Sequence, residues 1–324
     1  MNTSVQILTA LRQQEGLSGA DLAQRLGVSR TAIWSHIEEL RAAGFEIEAS
    51  PHRGYQLIAA PGHLIADDLM ARLGPARLIG RDIRVFHKTG STSDVAEKLA
   101  RDGVPEGVVI FAERQNQGRG RLGRAWLSPA GKGLLFSILL RPALRPQEAT
   151  RLTVTAATAI ARAIQQQTGL SPEIKWPNDL MLGGRKICGI LTELSAELDH
   201  VRHVILGLGL NVNLTSDDFP PELRQIATSL RIAAGRNISR PELATALLQE
   251  LDLAYARVLQ GDFAGVADEW EQRCTTIGHL ISIRIGERVI RGRAEALDES
   301  GALLLRTEHG HLERIIGGDV TTEK

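Results

Sequence analysis

The sequence lacks the features typical of exported or membrane-bound proteins. Cys188 and Cys274 are its only cysteines, too few for a disulfide framework, and their spacing matches no zinc-binding pattern. The first 16 residues contain no positively charged leader, no apolar core and no small-residue cleavage site. No apolar run approaches the roughly 20 residues that a membrane-spanning helix needs. We therefore expect a cytoplasmic protein that does not associate with membranes.

The sequence also lacks an excess of charge of either sign. Its 38 Lys and Arg residues balance its 38 Asp and Glu residues, so no global field draws the protein to nucleic acid or anionic lipid. Any DNA-binding site must therefore be a local surface. The 324 residues, with 43% hydrophobic and 23% charged, have a globular composition and suffice for two or three domains.

Residues 1–60 show the pattern of a winged helix–turn–helix. Ser18 and Asp21 predict a capping box at the start of one helix, and Ser29 is placed to cap the next one after a tight turn. Phe45–Leu57 has the alternation of a hairpin, which would form the wing. The residues predicted to contact DNA are Ser18, Ser29, Arg30, Thr31, Trp34, Ser35, His36 and Arg53.

A competing interpretation of the same segment is a helical module that packs against another protein. Residues 1–60 contain five Arg and six acidic residues, a formal charge of 5 − 6 = −1, so charge gives the DNA hypothesis little support. The helix–turn–helix pattern itself favours DNA.

The rest of the chain predicts two further domains. Helical and strand patterns alternate over residues 63–272, which favours an α/β domain with a mixed sheet, and Ala59-Ala-Pro-Gly62 is a short junction before it. Residues 275–324 contain short strand patterns separated by glycines, which favours a small β-barrel. The predicted domains are therefore 1–60, 63–272 and 275–324.

An arginine-rich loop lies in the middle domain. Gly118-Arg-Gly-Arg-Leu-Gly123 matches the dinucleotide-binding string, but the residues that follow cannot open a helix, so that interpretation fails on context. Alternating glycines and arginines predict a flexible loop that binds an anion, because the backbone approaches closely while guanidinium groups donate forked hydrogen bonds. The alternative is a solvated basic loop.

Two further motifs have both a plain and a functional interpretation. Lys175-Trp-Pro-Asn-Asp179 precedes a Gly183-Gly184 hairpin that returns Lys186 to an apolar strand, where a partly desolvated ammonium could meet a reacting anion or simply face solvent. Ser91 and Asp94 predict another capping box, which accounts for both side chains. The additional hydroxyls at that helix start would suit a ureido or carbonyl group.

Together these motifs resemble the family of bifunctional biotin–protein ligases and biotin operon repressors. The resemblance covers nearly the whole chain. Two positions depart from the family pattern: Ser93 stands where asparagine is usual, and Met181 where an aromatic residue is common. The segments that carry the resemblance are Ser91-Thr92, Glu113–Gln115, Gly118–Trp126, Lys175–Asp179, Gly184–Leu191 and Gly207–Asn213.

The resemblance implies an α+β multi-domain fold: an N-terminal winged helix–turn–helix, a central mixed-sheet α/β ligase domain and a C-terminal small SH3-like β-barrel. It implies an ATP-dependent enzyme that makes biotinyl-5′-AMP and transfers biotin to a lysine of the biotin carboxyl carrier protein of acetyl-CoA carboxylase. Mg²⁺ is expected with the ATP. The implied repressor binds biotin operator DNA as a homodimer when loaded with biotinyl-5′-AMP.

By the same resemblance, four residues are catalytic candidates: Arg119, Arg121, Lys186 and Asp179. Asp179 would orient the nucleotide or accept the proton of the carrier lysine. The residues implied to bind biotin and the nucleotide are Ser91, Thr92, Ser93, Gln115, Arg119, Gly120, Arg121, Trp126, Lys186 and Gly189. No metal ligand is assigned.

Two alternatives stay open at this point. One is a DNA-binding regulator that senses the ligand without ligase turnover, and the other is a related lipoyl-type acyl ligase. The cationic residues favour a ligase, because a neutral ureido ring alone would not require them.

Overall fold

The computed structural model describes residues 2–14, 16–75 and 77–322, and it begins with a winged helix–turn–helix. The predicted capping box is present, with Ser18 Oγ accepting from Asp21 N and Asp21 accepting from Ser18 N. Gly27 ends the same helix in a left-handed conformation. The elements are α1 (Thr3–Gln13), α2 (Gly19–Leu26), α3 (Arg30–Ala42), β1 (Glu46–Ser50) and β2 (Gly54–Ala59). The predicted outer domain limits at residues 1 and 324 lie outside the described residues.

Helix α4 (Ala66–Leu73) joins this unit to the centre of the molecule. Ala71 belongs to the apolar core of the N-terminal unit, whereas Leu69 and Leu73 belong to the larger central core. Asp68, only 1% exposed, forms ion pairs with Arg12 of α1 and with Arg72. One short helix is therefore shared by two cores and held by a buried carboxylate.

The central part is a seven-stranded mixed sheet with helices packed on it. The strand order is β3-β4-β5-β9-β8-β7-β6, and β3 pairs parallel to β4 whereas the other neighbours pair antiparallel. The strands are β3 (Asp82–Phe86), β4 (Val108–Ala112), β5 (Gly133–Leu140), β6 (Glu173–Lys175), β7 (Asp179–Leu182), β8 (Arg185–Ala196) and β9 (Val201–Asn211). The helices are α5 (Thr92–Arg101), α6 (Thr150–Thr168), α7 (Leu230–Ala234), α8 (Arg240–Leu259) and α9 (Phe263–Glu271).

The C-terminal part is a five-stranded antiparallel sheet. The order β13-β12-β11-β10-β14 places the last strand beside the first. The strands are β10 (Leu280–Ile285), β11 (Arg288–Leu297), β12 (Leu303–Thr307), β13 (Leu312–Ile315) and β14 (Asp319–Thr322). The predicted α+β arrangement of a helix–turn–helix, a mixed α/β sheet and a small β domain is confirmed. Within the described ranges, no helix is long and apolar enough to cross a membrane.

Candidate active site

A cavity of about 550 Å³ opens at one side of the central sheet. Its walls come from the start of α5, the Gly118–Trp126 segment, strands β7 to β9 and the start of β14. Every residue predicted to be catalytic or to bind biotin and the nucleotide lines it: Ser91, Thr92, Ser93, Gln115, Arg119, Gly120, Arg121, Trp126, Asp179, Lys186 and Gly189. The fold thus brings together residues from three separate sequence motifs.

The floor of the cavity is a cluster of buried hydroxyls and one amide. Gln115 Oε1 accepts hydrogen bonds from Thr92 N at 2.6 Å and from Thr92 Oγ1 at 3.1 Å. Ser137 Oγ lies 2.7 Å from Thr92 Oγ1 and 3.1 Å from Ser93 Oγ. All three hydroxyl residues are under a tenth exposed, so the cluster is fixed by its own hydrogen bonds and not by solvent.

The predicted capping box at the start of α5 is wrong. Within the described part of the chain, Ser91 makes no side-chain capping hydrogen bond. The Asp94 carboxylate binds Arg119 instead, with Nη2 at 2.6 Å from Oδ1 and Nη1 at 3.1 Å from Oδ2. A bidentate guanidinium is a stronger partner for a carboxylate than the backbone N–H of Ser91 that a capping box would use, so a residue 25 positions away displaces the local motif.

The arginine-rich segment is a hydrogen-bonded hairpin and not the flexible loop that its glycines predict. Trp126 N donates to Gly118 O at 2.9 Å, and Gly120 N donates to Arg124 O at 2.7 Å. Leu122 at its tip has a φ of +56° and is 71% exposed. This left-handed conformation is unfavourable for a residue that carries a side chain, and the turn leaves the apolar Leu122 side chain in solvent.

The two predicted catalytic arginines differ in environment. Arg119 is exposed at the rim, where its hydrogen bonds to Asp94 raise its pKa. Arg121 is half-buried, and burial lowers its pKa although nearby Asp179 and Asp319 favour the charge. Arg121 Nη1 donates to Asn178 Oδ1 at 3.3 Å. Arg121 is therefore the more desolvated cation, and a charge in that setting acts strongly on an anion.

Lys186 and Trp126 both line the cavity and lie close to each other. Lys186 Nζ lies 5.5 Å from the centroid of the Trp126 ring, within the range of a cation–π contact. A Cβ on Gly209 would lie 2.5 Å from Trp126 Cε2, and one on Gly189 would lie 3.0 Å from Cζ3. These two glycines on adjacent strands leave the space that the indole ring occupies.

The C-terminal sheet contributes to the same cavity, which sequence reasoning missed. Asp319 Oδ2 accepts from Arg124 Nη2 at 2.6 Å, across 195 residues of sequence. A Cβ on Gly317 would lie 2.9 Å from Arg121 Nη2. Ser137 was missed too, since a serine within an apolar strand resembles any strand residue. Such pairings depend on the tertiary fold and leave no signal in local sequence.

The predicted DNA-binding residues divide into two groups. Ser18 and Ser29 cap helices, and His36 Nδ1 lies 3.2 Å from Ser4 Oγ and from Glu39 Oε2. The side chains of the first group are thus engaged within the N-terminal unit. The second group, Arg30, Thr31, Trp34, Ser35 and Arg53, is exposed, and Trp34 is 58% exposed.

The chain resembles known families along most of its length. Residues 85–211 match the biotin/lipoate A/B protein ligase family, residues 4–56 match an HTH domain, and residues 276–321 match the biotin protein ligase C-terminal domain. The bifunctional ligase/repressor BirA of Bacillus subtilis is 39% identical over 306 residues, which cover 94% of each chain. The BirA of Escherichia coli is 31% identical over 318 residues, which cover 98% of this chain and 96% of the relative.

A solved structure is similar as well. The biotin protein ligase from Aquifex aeolicus, in complex with biotin and ATP, superposes with a TM-score of 0.64 and 29% identity. The match covers 75% of this chain and 99% of that chain.

Proposed function

The chain belongs to the bifunctional ligase/repressor BirA family and is a biotin–protein ligase joined to a DNA-binding repressor domain, and from this premise we propose that both steps of biotin transfer occur in the cavity of the central sheet. The observation that supports this is the convergence of Arg119, Arg121 and Lys186 above a floor of hydroxyl and amide groups. We also propose the domain limits 1–60, 63–272 and 275–324.

In the first step, a carboxylate oxygen of biotin attacks the α-phosphorus of ATP, and the bond from that phosphorus to pyrophosphate breaks. The substrates supply the nucleophile and the leaving group, so the protein must bring two anions together and stabilise the negative charge that develops. Arg119, Arg121 and Lys186 supply positive charge for this purpose, and Gly120 lets the backbone approach the ligand. Arg119 would exchange Asp94 for the incoming anion.

The two ends of the ligand occupy different parts of the cavity in this proposal. Ser91, Thr92, Ser93 and Gln115 bind the ureido ring of biotin, because buried hydroxyl and amide groups match its polar atoms. Trp126 lies beside the adenine, and Gly189 leaves room for that ring. The arrangement accommodates an acyl-adenylate across the full width of the cavity.

In the second step, the amine of a carrier lysine attacks the acyl carbon, and the bond from that carbon to AMP breaks. Asp179 accepts the proton that the amine loses, or orients the nucleotide. We propose the biotin carboxyl carrier protein of acetyl-CoA carboxylase as the carrier. The lysine enters at the mouth of the cavity, beside the Gly118–Trp126 hairpin.

Magnesium accompanies ATP in reactions of this kind. The described ranges contain no group of three or more His, Cys, Asp or Glu side chains that could hold a metal ion. We propose that Mg²⁺ enters with the triphosphate.

The N-terminal unit acts as the repressor in this proposal. Arg30, Thr31, Trp34 and Ser35 at the start of α3 face the major groove of operator DNA, and Arg53 of the wing contacts the backbone. A unit with little net charge neutralises few phosphates and binds weakly alone. We therefore propose that a homodimer, formed when biotinyl-5′-AMP is bound, is the operator-binding species.

One experiment tests the enzymatic part and its alternatives. The full-length protein is incubated with ATP, labelled biotin and a carrier domain, with lipoate as a competing substrate. We expect pyrophosphate release and one labelled lysine on the carrier. Binding of biotin without pyrophosphate release would favour a regulator without turnover, and transfer of lipoate would favour a lipoyl-type ligase.

A further inference from the structure

The hydroxyl cluster on the cavity floor has a single consistent direction of hydrogen bonding. Thr92 N–H can only donate, so the Gln115 atom at 2.6 Å from it must be the amide oxygen. The orientation of the Gln115 amide is thereby fixed by the backbone. Its nitrogen faces away, towards Gly118, where a Cβ would lie 3.3 Å from Nε2.

The fixed amide determines the donor direction of the next three hydroxyl groups in turn. Since Gln115 Oε1 can only accept, the Thr92 hydroxyl must donate its proton to that oxygen. Ser137, 2.7 Å from Thr92 Oγ1, must then donate to Thr92, because the Thr92 proton is already used. Ser93, 3.1 Å from Ser137 Oγ, must likewise donate to Ser137. The chain of hydrogen bonds therefore runs from donor to acceptor, from Ser93 through Ser137 and Thr92 to Gln115.

This direction decides what the cavity offers a ligand. The Ser93 hydroxyl donates its proton to Ser137, so only its lone pairs face a ligand and it accepts a hydrogen bond from that ligand. Gln115 Nε2 has no hydrogen-bond partner among the described residues, so it donates. One acceptor and one amide donor complement a cyclic urea, which carries N–H groups and a carbonyl. A dithiolane ring carries neither and would leave both protein groups unpaired.

We propose that Ser137 is a positioning residue that polarises this chain and so makes the cavity selective for the cyclic urea of biotin. The inference rests on the proposed function and deepens it. Ser137 is fully buried in β5 and bonds to both Thr92 and Ser93, so it acts through them. Without it, Ser93 loses the acceptor that fixes its proton, and Thr92 loses its donor.

The test compares Ser137→Ala, Ser137→Cys and Thr158→Val in the full-length protein. Thr158 is a matched control, because it is also fully buried, its hydroxyl bonds only to Val154 O, and it lies in α6 away from the cavity. KM and kcat are measured for biotin, for desthiobiotin, which keeps the urea, and for ATP, together with lipoate competition and the melting temperature.

We expect Ser137→Ala to raise KM for biotin and for desthiobiotin by the same factor, roughly tenfold, the usual effect of losing one buried hydrogen bond. KM for ATP and kcat stay the same, and the preference for biotin over lipoate falls by that factor. Ser137→Cys, which keeps a weak donor, recovers part of the loss. Thr158→Val lowers the melting temperature without any change in KM.

An unchanged KM for biotin, or an equal rise in KM for ATP, would overturn the positioning role and leave the ligase assignment intact. Absence of biotin turnover in the parent protein would overturn the proposed function itself, so the two failures are distinguishable.

Discussion

Lys186 Nζ lies 2.6 Å from Asp179 Oδ1 across the hairpin that joins β7 and β8. The same carboxylate oxygen is buried and makes no hydrogen bond of good geometry within the described residues, so the contact is an ion pair by distance alone. A pair held mainly by charge can exchange one partner for a substrate anion. Binding of a phosphate to Lys186 would release Asp179, which could then accept the proton of the carrier lysine or orient the nucleotide.

Replacement of Lys186 tests this arrangement. Lys186→Ala removes a preorganised positive charge, and we expect the adenylation barrier to rise by about 2–4 kcal/mol. The measurement is the rate of pyrophosphate release with saturating biotin and ATP. Arg185→Ala, on the same hairpin but outside the cavity lining, should retain the parent rate. Equal losses of the rate of pyrophosphate release in both variants would indicate that Lys186 is an ordinary hairpin lysine with no part in adenylation.

Replacement of Arg121 should release the intermediate. Arg121→Gly removes the half-buried guanidinium that covers the cavity beside Asn178. We expect biotinyl-5′-AMP to leak and to label lysines on bystander proteins, which streptavidin blotting detects. Arg114→Gly, an exposed arginine outside the cavity lining, is the control for added flexibility. Labelling confined to the carrier domain would contradict the placement of Arg121 over the intermediate.

Gly209→Ala should displace the indole of Trp126. The new Cβ would lie 2.5 Å from Cε2, and overpacking of this kind costs about 1–3 kcal/mol. Because the ring lines the cavity and lies beside the adenine in our proposal, we expect KM for ATP to rise by about tenfold or more. Gly62→Ala is the control, since nothing lies within 4 Å of its Cβ position. A parent-like KM in Gly209→Ala would place Trp126 outside the nucleotide site.

The adenylate should drive dimerisation and operator binding more strongly than biotin does. It occupies both parts of the cavity, so it has more contacts through which to favour the dimer, and a ligand shifts an equilibrium only by its differential affinity. Sedimentation and operator binding are measured on one sample with biotinyl-5′-AMP, with biotin and with neither. Arg30→Ala should still dimerise but lose operator affinity. Tight operator binding by the unliganded monomer would contradict the mechanism.

Cys188 should be chemically inert although it lies in β8 between Lys186 and Gly189, two residues that line the cavity. Burial raises the pKa of its thiol to about 12, and only the thiolate reacts with disulfide reagents. At pH 8 the native protein should show no labelling at Cys188 by Ellman's reagent, whereas guanidinium-unfolded protein is labelled. Fast labelling at Cys188 in the native protein, located by mass spectrometry, would contradict this burial.

Elements with a strong local pattern were predictable from sequence alone. Strand β4 (Val108–Ala112) consists of five consecutive apolar residues, and such a run favours a buried strand. The capping box of α2 is local and was also predictable. In contrast, Asp94 binds Arg119 through a fold that no local motif encodes. Strand β14 follows two glycines and exists only because β10 pairs with it.

The candidate site shows the same division. Motifs that supply charge, such as the Gly118–Gly123 segment, were visible as residue types with a clear chemistry. Ser137 and Asp319 were not, because each forms its hydrogen bonds with residues that lie far away in sequence. The cavity therefore depends on positions that a motif search does not reach.

The position of helix α4 affects whether the N-terminal unit can be cut away from the ligase part, and how far apart two N-terminal units can lie in a dimer. Because Ala71 lies in the core of the N-terminal unit and Ile65 and Met70 pack against that core, a ligase cut free after residue 60 would expose an apolar stripe and would leave Asp68 with Arg72 but without Arg12. The ion pair between Asp68 and Arg12 also connects the N-terminal unit to α4, and we expect it to limit movement of that unit. In a dimer, the distance between the two α3 helices would then be set by rigid joints. Operators with extra base pairs between their half-sites would be bound poorly, since the protein could not stretch to reach them.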